Sequence, residues 1–116
     1  MNAARNLALA VAGLLAASSS AWAGPQILRT DRVEAFGTKT YDVYYSGDEL
    51  AAVLLSGDGD TDLDLYVYDA DGDLVASDTD ITDDCVCLWA PRRTQRYTIR
   101  VVNRGLVFNR YTILFR

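Results

Sequence analysis

The chain has 116 residues, with 16 acidic and 11 basic side chains, a net charge of −5 and no histidine. The acidic balance excludes a nucleic-acid partner, whose phosphates it repels. The missing imidazole excludes every Ser-His or Cys-His nucleophile pair.

Residues 1–23 read as a secretory signal peptide. Arg5 carries the only charge, residues 7–17 form an apolar run, and Ala21-Trp22-Ala23 supplies a small-x-small cleavage site before Gly24. The apolar run is shorter than the ~20 residues a bilayer span requires. The expected product is a single domain of residues 24–116, periplasmic or secreted, with no membrane span after cleavage. Loss of Arg5 makes it one charge more negative than the whole chain.

The domain shows period-two alternation and almost no helical spacing. A short edge strand is expected near residues 33–36. Residues 39–46 alternate Tyr41, Val43 and Tyr45 against Asp42 and Tyr44. Residues 50–55 form a continuous apolar run, the signature of a strand buried on both faces. Residues 63–68 alternate Leu63, Leu65 and Val67 against Asp64, Tyr66 and Tyr68. Further strands are expected at residues 74–77, 85–90, 96–103 and 111–115. Turn residues separate them at Gly37-Thr38, Ser46-Gly47-Asp48, residues 69–72, Ala90-Pro91 and residues 103–105. The expected fold is all-β, an antiparallel sandwich of seven or eight short strands.

Charge is segregated. Residues 58–84 contain eleven Asp and no Lys or Arg, and residues 85–116 contain seven Arg and no acid. The two regions can lie side by side and screen each other, or the acidic loops can collect a cation. Residues 69–73 suit a hairpin turn. No EF-hand is present, because leucine occupies the position that needs glycine whether counting starts at Asp58 or Asp69. Pairing Asp69 with Asp73 sets Tyr68 against Leu74, Tyr66 against Ala76, Asp64 against Asp78 and Asp62 against Asp80. Leu63, Leu65, Val67 and Val75 then share the core face. Two pairs of opposed carboxylates repel unless a hard cation sits between them. Calcium held by Asp60, Asp62, Asp64, Asp78 and Asp80 is therefore one expectation, with Asp83 and Asp84 ranked below. The other is that the second strand ends at Ser77 and residues 78–84 form a solvated loop.

Residues 60–68 (DTDLDLYVY), then Asp71-Gly72-Asp73-Leu74-Val75 and Ser77-Asp78, resemble the central motif of the bacterial pre-peptidase C-terminal domain. Residues 96–101 resemble that family's closing strand and Tyr111-Thr112-Ile113 its final strand. Arg96 replaces the family's glycine before the closing tyrosine. The resemblance implies a jelly-roll sandwich and a non-catalytic module; some relatives bind calcium and some bind polymers. No peptidase accompanies the module in this chain.

Cys85 and Cys87, two apart on a strand, have Cα atoms roughly 6.5–7 Å apart, at the limit for a bridge. A strained disulfide needing a local bulge or turn, two free or buried thiols, and intermolecular pairing or soft-metal binding all remain open. Tyr66 and Tyr68 lie off the core face, where they either cover the sheet or contact a ligand. Arg92 and Arg93 are expected near Asp83 and Asp84. These features together point to an exported, non-enzymatic module, possessing a calcium-stabilised fold on one reading, that recognises a polysaccharide or protein outside the cytoplasm. The alternative is a structural partner or inhibitor of a secreted or envelope enzyme.

Overall fold

A computed structural model describes residues 26–116; the expected signal peptide and its cleavage point lie outside the described residues. Eight strands follow in chain order: β1 Ile27–Val33, β2 Thr38–Tyr45, β3 Ala51–Ser56, β4 Leu63–Tyr68, β5 Leu74–Asp78, β6 Asp84–Trp89, β7 Gln95–Asn103 and β8 Asn109–Phe115. They build two four-stranded antiparallel sheets, ordered β1-β8-β3-β6 and β2-β7-β4-β5. This alternation of neighbours between two sheets is the strand order of a jelly roll.

Each strand sends alternate side chains inward. Leu63, Leu65 and Val67 of β4 meet Tyr97, Ile99 and Val101 of β7 on one side of the core, and Val53, Leu55, Tyr111, Ile113 and Phe115 line the other. Trp89, whose facing the alternation alone leaves open, points inward. It packs edge-on against Tyr45 at 4.9 Å between ring centroids and tilted against Tyr97 at 5.2 Å.

Three expectations require correction. The first strand is Ile27–Val33, not residues 33–36. Residues 34–37 turn instead, with Gly37 N–H donating to Glu34 O at 2.9 Å and Phe36 at a positive φ of 56°.

The second correction is the β4–β5 register. The hairpin opens as expected, with Asp69 N–H donating to Asp73 O at 2.9 Å and Tyr68 opposite Leu74. Between Val67 and Tyr68 the pairing then slips, so that Val67 faces Ala76, Tyr66 faces Ser77 and Leu65 faces Asp78. Val75 is the extra residue of a β-bulge. It is turned out to solvent, and Ala76 packs on the core in its place.

The third correction concerns the cysteines, which are free and buried on the inward face of β6. Cys85 pairs with Leu55 and Cys87 with Val53 in unbroken register, so the bulge that a bridge requires is missing.

Candidate functional site

The outward-facing residues of β4 form one line: Asp62 just before the strand, then Asp64, Tyr66 and Tyr68. Their neighbours on β7 are Val102 beside Asp64, Arg100 beside Tyr66 and Thr98 beside Tyr68. Arg104 follows β7, and its backbone N–H donates to Asp62 O at 2.9 Å. The result is a stripe running from a carboxylate pair to an aromatic pair, with arginines along its flank.

At the acidic end, Arg104 Nε donates to Asp64 Oδ2 at 2.8 Å. Asp64 is nearly buried, whereas the guanidinium is half exposed. Tyr66 hydroxyl donates to the same Asp64 oxygen at 3.3 Å, and Arg104 Nη2 reaches the Tyr66 hydroxyl at 3.4 Å. Asp62 Oδ1 and Asp64 Oδ1 are shielded from solvent and lack a hydrogen-bond partner. Burial of the Asp62 carboxyl raises its pKa above the usual aspartate value. The Asp64 charge raises it further, Arg104 opposes the shift, and Asp80 adds to it.

Asp58, Asp69, Asp78 and Asp80 serve the backbone instead. The bulge turns Asp78 to the inner side of β5, where its Oδ2 accepts from Val86 N–H of β6 at 2.9 Å and ties one sheet edge to the other. Asp80 Oδ1 accepts from Thr82 N–H and from the Thr82 hydroxyl. Asp69 Oδ1 accepts from Asp71 and Asp73 N–H within the hairpin turn. Asp58 accepts from Asp60 N–H and, through its other oxygen, from Arg110 N–H. Asp60 is exposed.

Asp83 is buried and ranks higher structurally than its sequence context suggests. Its Oδ2 accepts from Gly59 N–H at 2.6 Å and from Asn109 Nδ2 at 2.9 Å. It therefore belongs to the loop network and not to an ion pair with Arg92 or Arg93; Arg93 instead approaches Asp71 at 3.9 Å.

The expected opposition of Asp64 to Asp78 and of Asp62 to Asp80 is thus removed by the bulge. Asp62 and Asp64 come together, Asp80 is near enough to act on Asp62 through its charge, and Asp78 is engaged elsewhere. Among the described residues, no group of three or more His, Cys, Asp or Glu side chains is arranged to hold a metal ion. The positive charge in direct contact with this carboxylate pair is the chain's own guanidinium.

At the other end, the Tyr66 and Tyr68 rings lie 6.4 Å apart between centroids and only 23° from parallel. Arg100 places its guanidinium carbon 5.6 Å from the centre of the Tyr68 ring. An open groove of about 320 Å³ lies alongside, lined by Tyr68, Arg96, Thr98, Arg100 and the β4–β5 turn. Arg96 and Arg100 are exposed and form no ion pair among the described residues. Half-exposed aromatic faces beside unneutralised guanidinium groups can stack on a flat ligand and hold its anionic substituents.

Arg104, Asn103 and Asn109 escape the motif-level reading. Both asparagines are buried and fasten loops to strands: Asn103 Nδ2 donates to Glu34 O and Val107 O, and Asn109 Oδ1 accepts from Asp58 N–H. A buried amide in a strand leaves little trace in an alternation pattern. Arg100 was available, since β7 alternation already turns it outward beside Tyr66. No family model matches the chain, and no curated protein matches it.

Proposed function

We propose that the chain is a non-catalytic binding module acting outside the cytoplasm, and that it grips a polysaccharide through the outer face of the β2-β7-β4-β5 sheet, where a local arginine pair meets anionic substituents that the acidic balance of the whole chain otherwise repels. The observation that carries this reading is the near-parallel Tyr66–Tyr68 pair with the unneutralised Arg96 and Arg100 beside it. The tyrosine faces supply apolar contact to sugar rings at little entropic cost, because each side chain has few rotatable bonds. The arginines supply forked donors suited to carboxylate or sulfate groups. The carboxylate pair and Arg104 brace the same stripe from its other end, and any calcium contribution enters there, at Asp62 and Asp64 with Asp80 nearby.

Retention on immobilised polyuronate, compared with a neutral glucan, tests the reading. Retention is expected on the polyuronate and weaker on the glucan. Tyr68→Ala or Arg100→Ala is expected to weaken it roughly tenfold, as loss of a stacking or charged anchor does. Failure to bind either polymer, together with co-purification of one protein in constant ratio, overturns it in favour of a partner or inhibitor of a secreted enzyme.

A further inference from the structure

The other sheet carries the opposite chemistry on its outside. Side chains that alternate outward along β1, β8, β3 and β6 fall into register across all four strands. Leu28 faces Leu114, Leu114 faces Leu54, and Leu54 faces Val86. One unbroken aliphatic row therefore crosses the sheet, with Leu88 of β6 beside it. Leu28 is 65% exposed and Leu88 42% exposed. The row floors an open groove of about 310 Å³. No described element covers it. Yet β3 has the continuous apolar composition of a strand buried on both faces, and only its inner face meets the core. Monomeric proteins seldom leave a contiguous apolar strip across a whole sheet.

Polar residues border the row asymmetrically. On the β3–β6 half the border is acidic, with Asp84 on β6 and Asp58 just past β3. On the β1–β8 half it is basic, with Arg110 exposed on β8; Arg32, exposed on β1, is already paired with Glu34 at 2.7 Å. Arg110 forms no ion pair among the described residues. A two-fold axis parallel to the strands lays the β1–β8 half of one copy over the β3–β6 half of another. Leu28 then meets Val86, Leu114 meets Leu54, and the basic border lies over the acidic border at both ends of the row. The face is complementary to itself in apolarity and charge, as an isologous dimer interface must be.

We infer that this face joins two copies of the chain back to back, with the sheets about 10 Å apart. Four short strands offer a modest area, so the association belongs at the small end of specific interfaces and is concentration-dependent. It is independent of the proposed polysaccharide site, which lies on the opposite sheet.

Sedimentation velocity across the micromolar range tests the inference. The purified protein is expected to pass from monomer to dimer. Leu54→Glu buries a charge in the interface and is expected to weaken the dimer roughly tenfold or more. Leu28→Lys, at a position too exposed to disturb folding, should act in the same direction. Asp58→Arg and Arg110→Asp, which face each other across the axis, should each weaken the dimer, and the double substitution should restore it. A monomer at every concentration overturns the inference, as does a dimer indifferent to Leu28→Lys or a charge swap without restoration. A monomer that binds an apolar dye only after residues 1–23 are removed also overturns it and assigns the row to the chain's own leader.

Discussion

Arg104 Nε lies 2.8 Å from Asp64 Oδ2, and the carboxylate it meets is almost wholly shielded from water. Arg104→Ala leaves that carboxylate without its cation. Full burial of both partners would make the loss large. Because the guanidinium is half exposed, solvent screens much of the loss, and the expected outcome is a modest but measurable fall in Tm. Denaturant unfolding checks this, and Asp64→Asn in the Arg104→Ala background should recover part of the loss.

The same variant addresses calcium. In the parent protein Arg104 occupies the approach to Asp64, so added calcium competes with it. With Arg104→Ala the two carboxylates are left facing a vacant approach. Millimolar calcium, the range of weak extracellular sites, is expected to raise the Tm of the variant more than that of the parent. Equal shifts, or none in either protein, would remove calcium from the functional proposal.

Asp62 provides a pH test. Its pKa is raised above 3.8, chiefly by burial of the carboxyl and then by the Asp64 charge. The folded protein therefore holds this proton more tightly than the unfolded chain does. The Asp62 contribution to stability falls as pH rises through the window just above 3.8 and is relieved below it. Asp62→Asn should abolish that segment of the pH dependence and stabilise the protein slightly at neutral pH, an effect reduced by solvent screening. Asp31, whose pKa is lowered by the Tyr41 hydroxyl, acts in the opposite sense and is untouched by the substitution. Thermal melts from pH 3.5 to pH 7, spanning the usual aspartate range, distinguish the two.

The thiols should be inert in the folded state. Burial pushes Cys85 up and raises Cys87 to about 12. Thiolate is the reactive form. Iodoacetamide at neutral pH is expected to modify neither residue before unfolding and both afterwards. An intact mass two hydrogens short would show a bridge and contradict this.

Asn109→Ala should be among the costliest polar substitutions. It removes donors to Asp83 Oδ2 and Thr61 Oγ1 and an acceptor for Asp58 N–H, at a site with no exposure. Leaving those loop groups unpaired is expected to cost about 2–4 kcal/mol. A change in midpoint without a change in slope on denaturant unfolding separates this from a change in the denatured state.

Most of the architecture was legible because alternation is strong wherever one face is buried. The strands built on Tyr41–Tyr45, Leu63–Val67, Tyr97–Val101 and Tyr111–Phe115 all lie where period-two apolar residues place them. Ile27–Val33 was not legible, because its edge position leaves Arg29, Thr30, Asp31 and Arg32 without an apolar counterpart. The bulge at Val75 was hidden for a different reason. Both registers bury a small aliphatic residue, Val75 in one and Ala76 in the other, and composition alone does not choose between them. That one-residue slip redirects Asp78 from a neighbour of Asp64 to a clasp on Val86. Arg104 was seen only as a turn residue, although mutual screening of the acidic and basic regions was one of the two readings that the charge segregation left open.

The two outer faces of the sandwich look in opposite directions, one aliphatic and one lined with tyrosine and arginine. A back-to-back pair of the kind inferred consumes the aliphatic faces and points its two proposed binding faces away from each other. Such a particle cannot clasp a single strand twice, so it gains little avidity toward one polymer molecule. On the two proposals taken together it is expected to act as a cross-bridge between separate molecules, and its mark on a dilute polymer solution is a rise in viscosity.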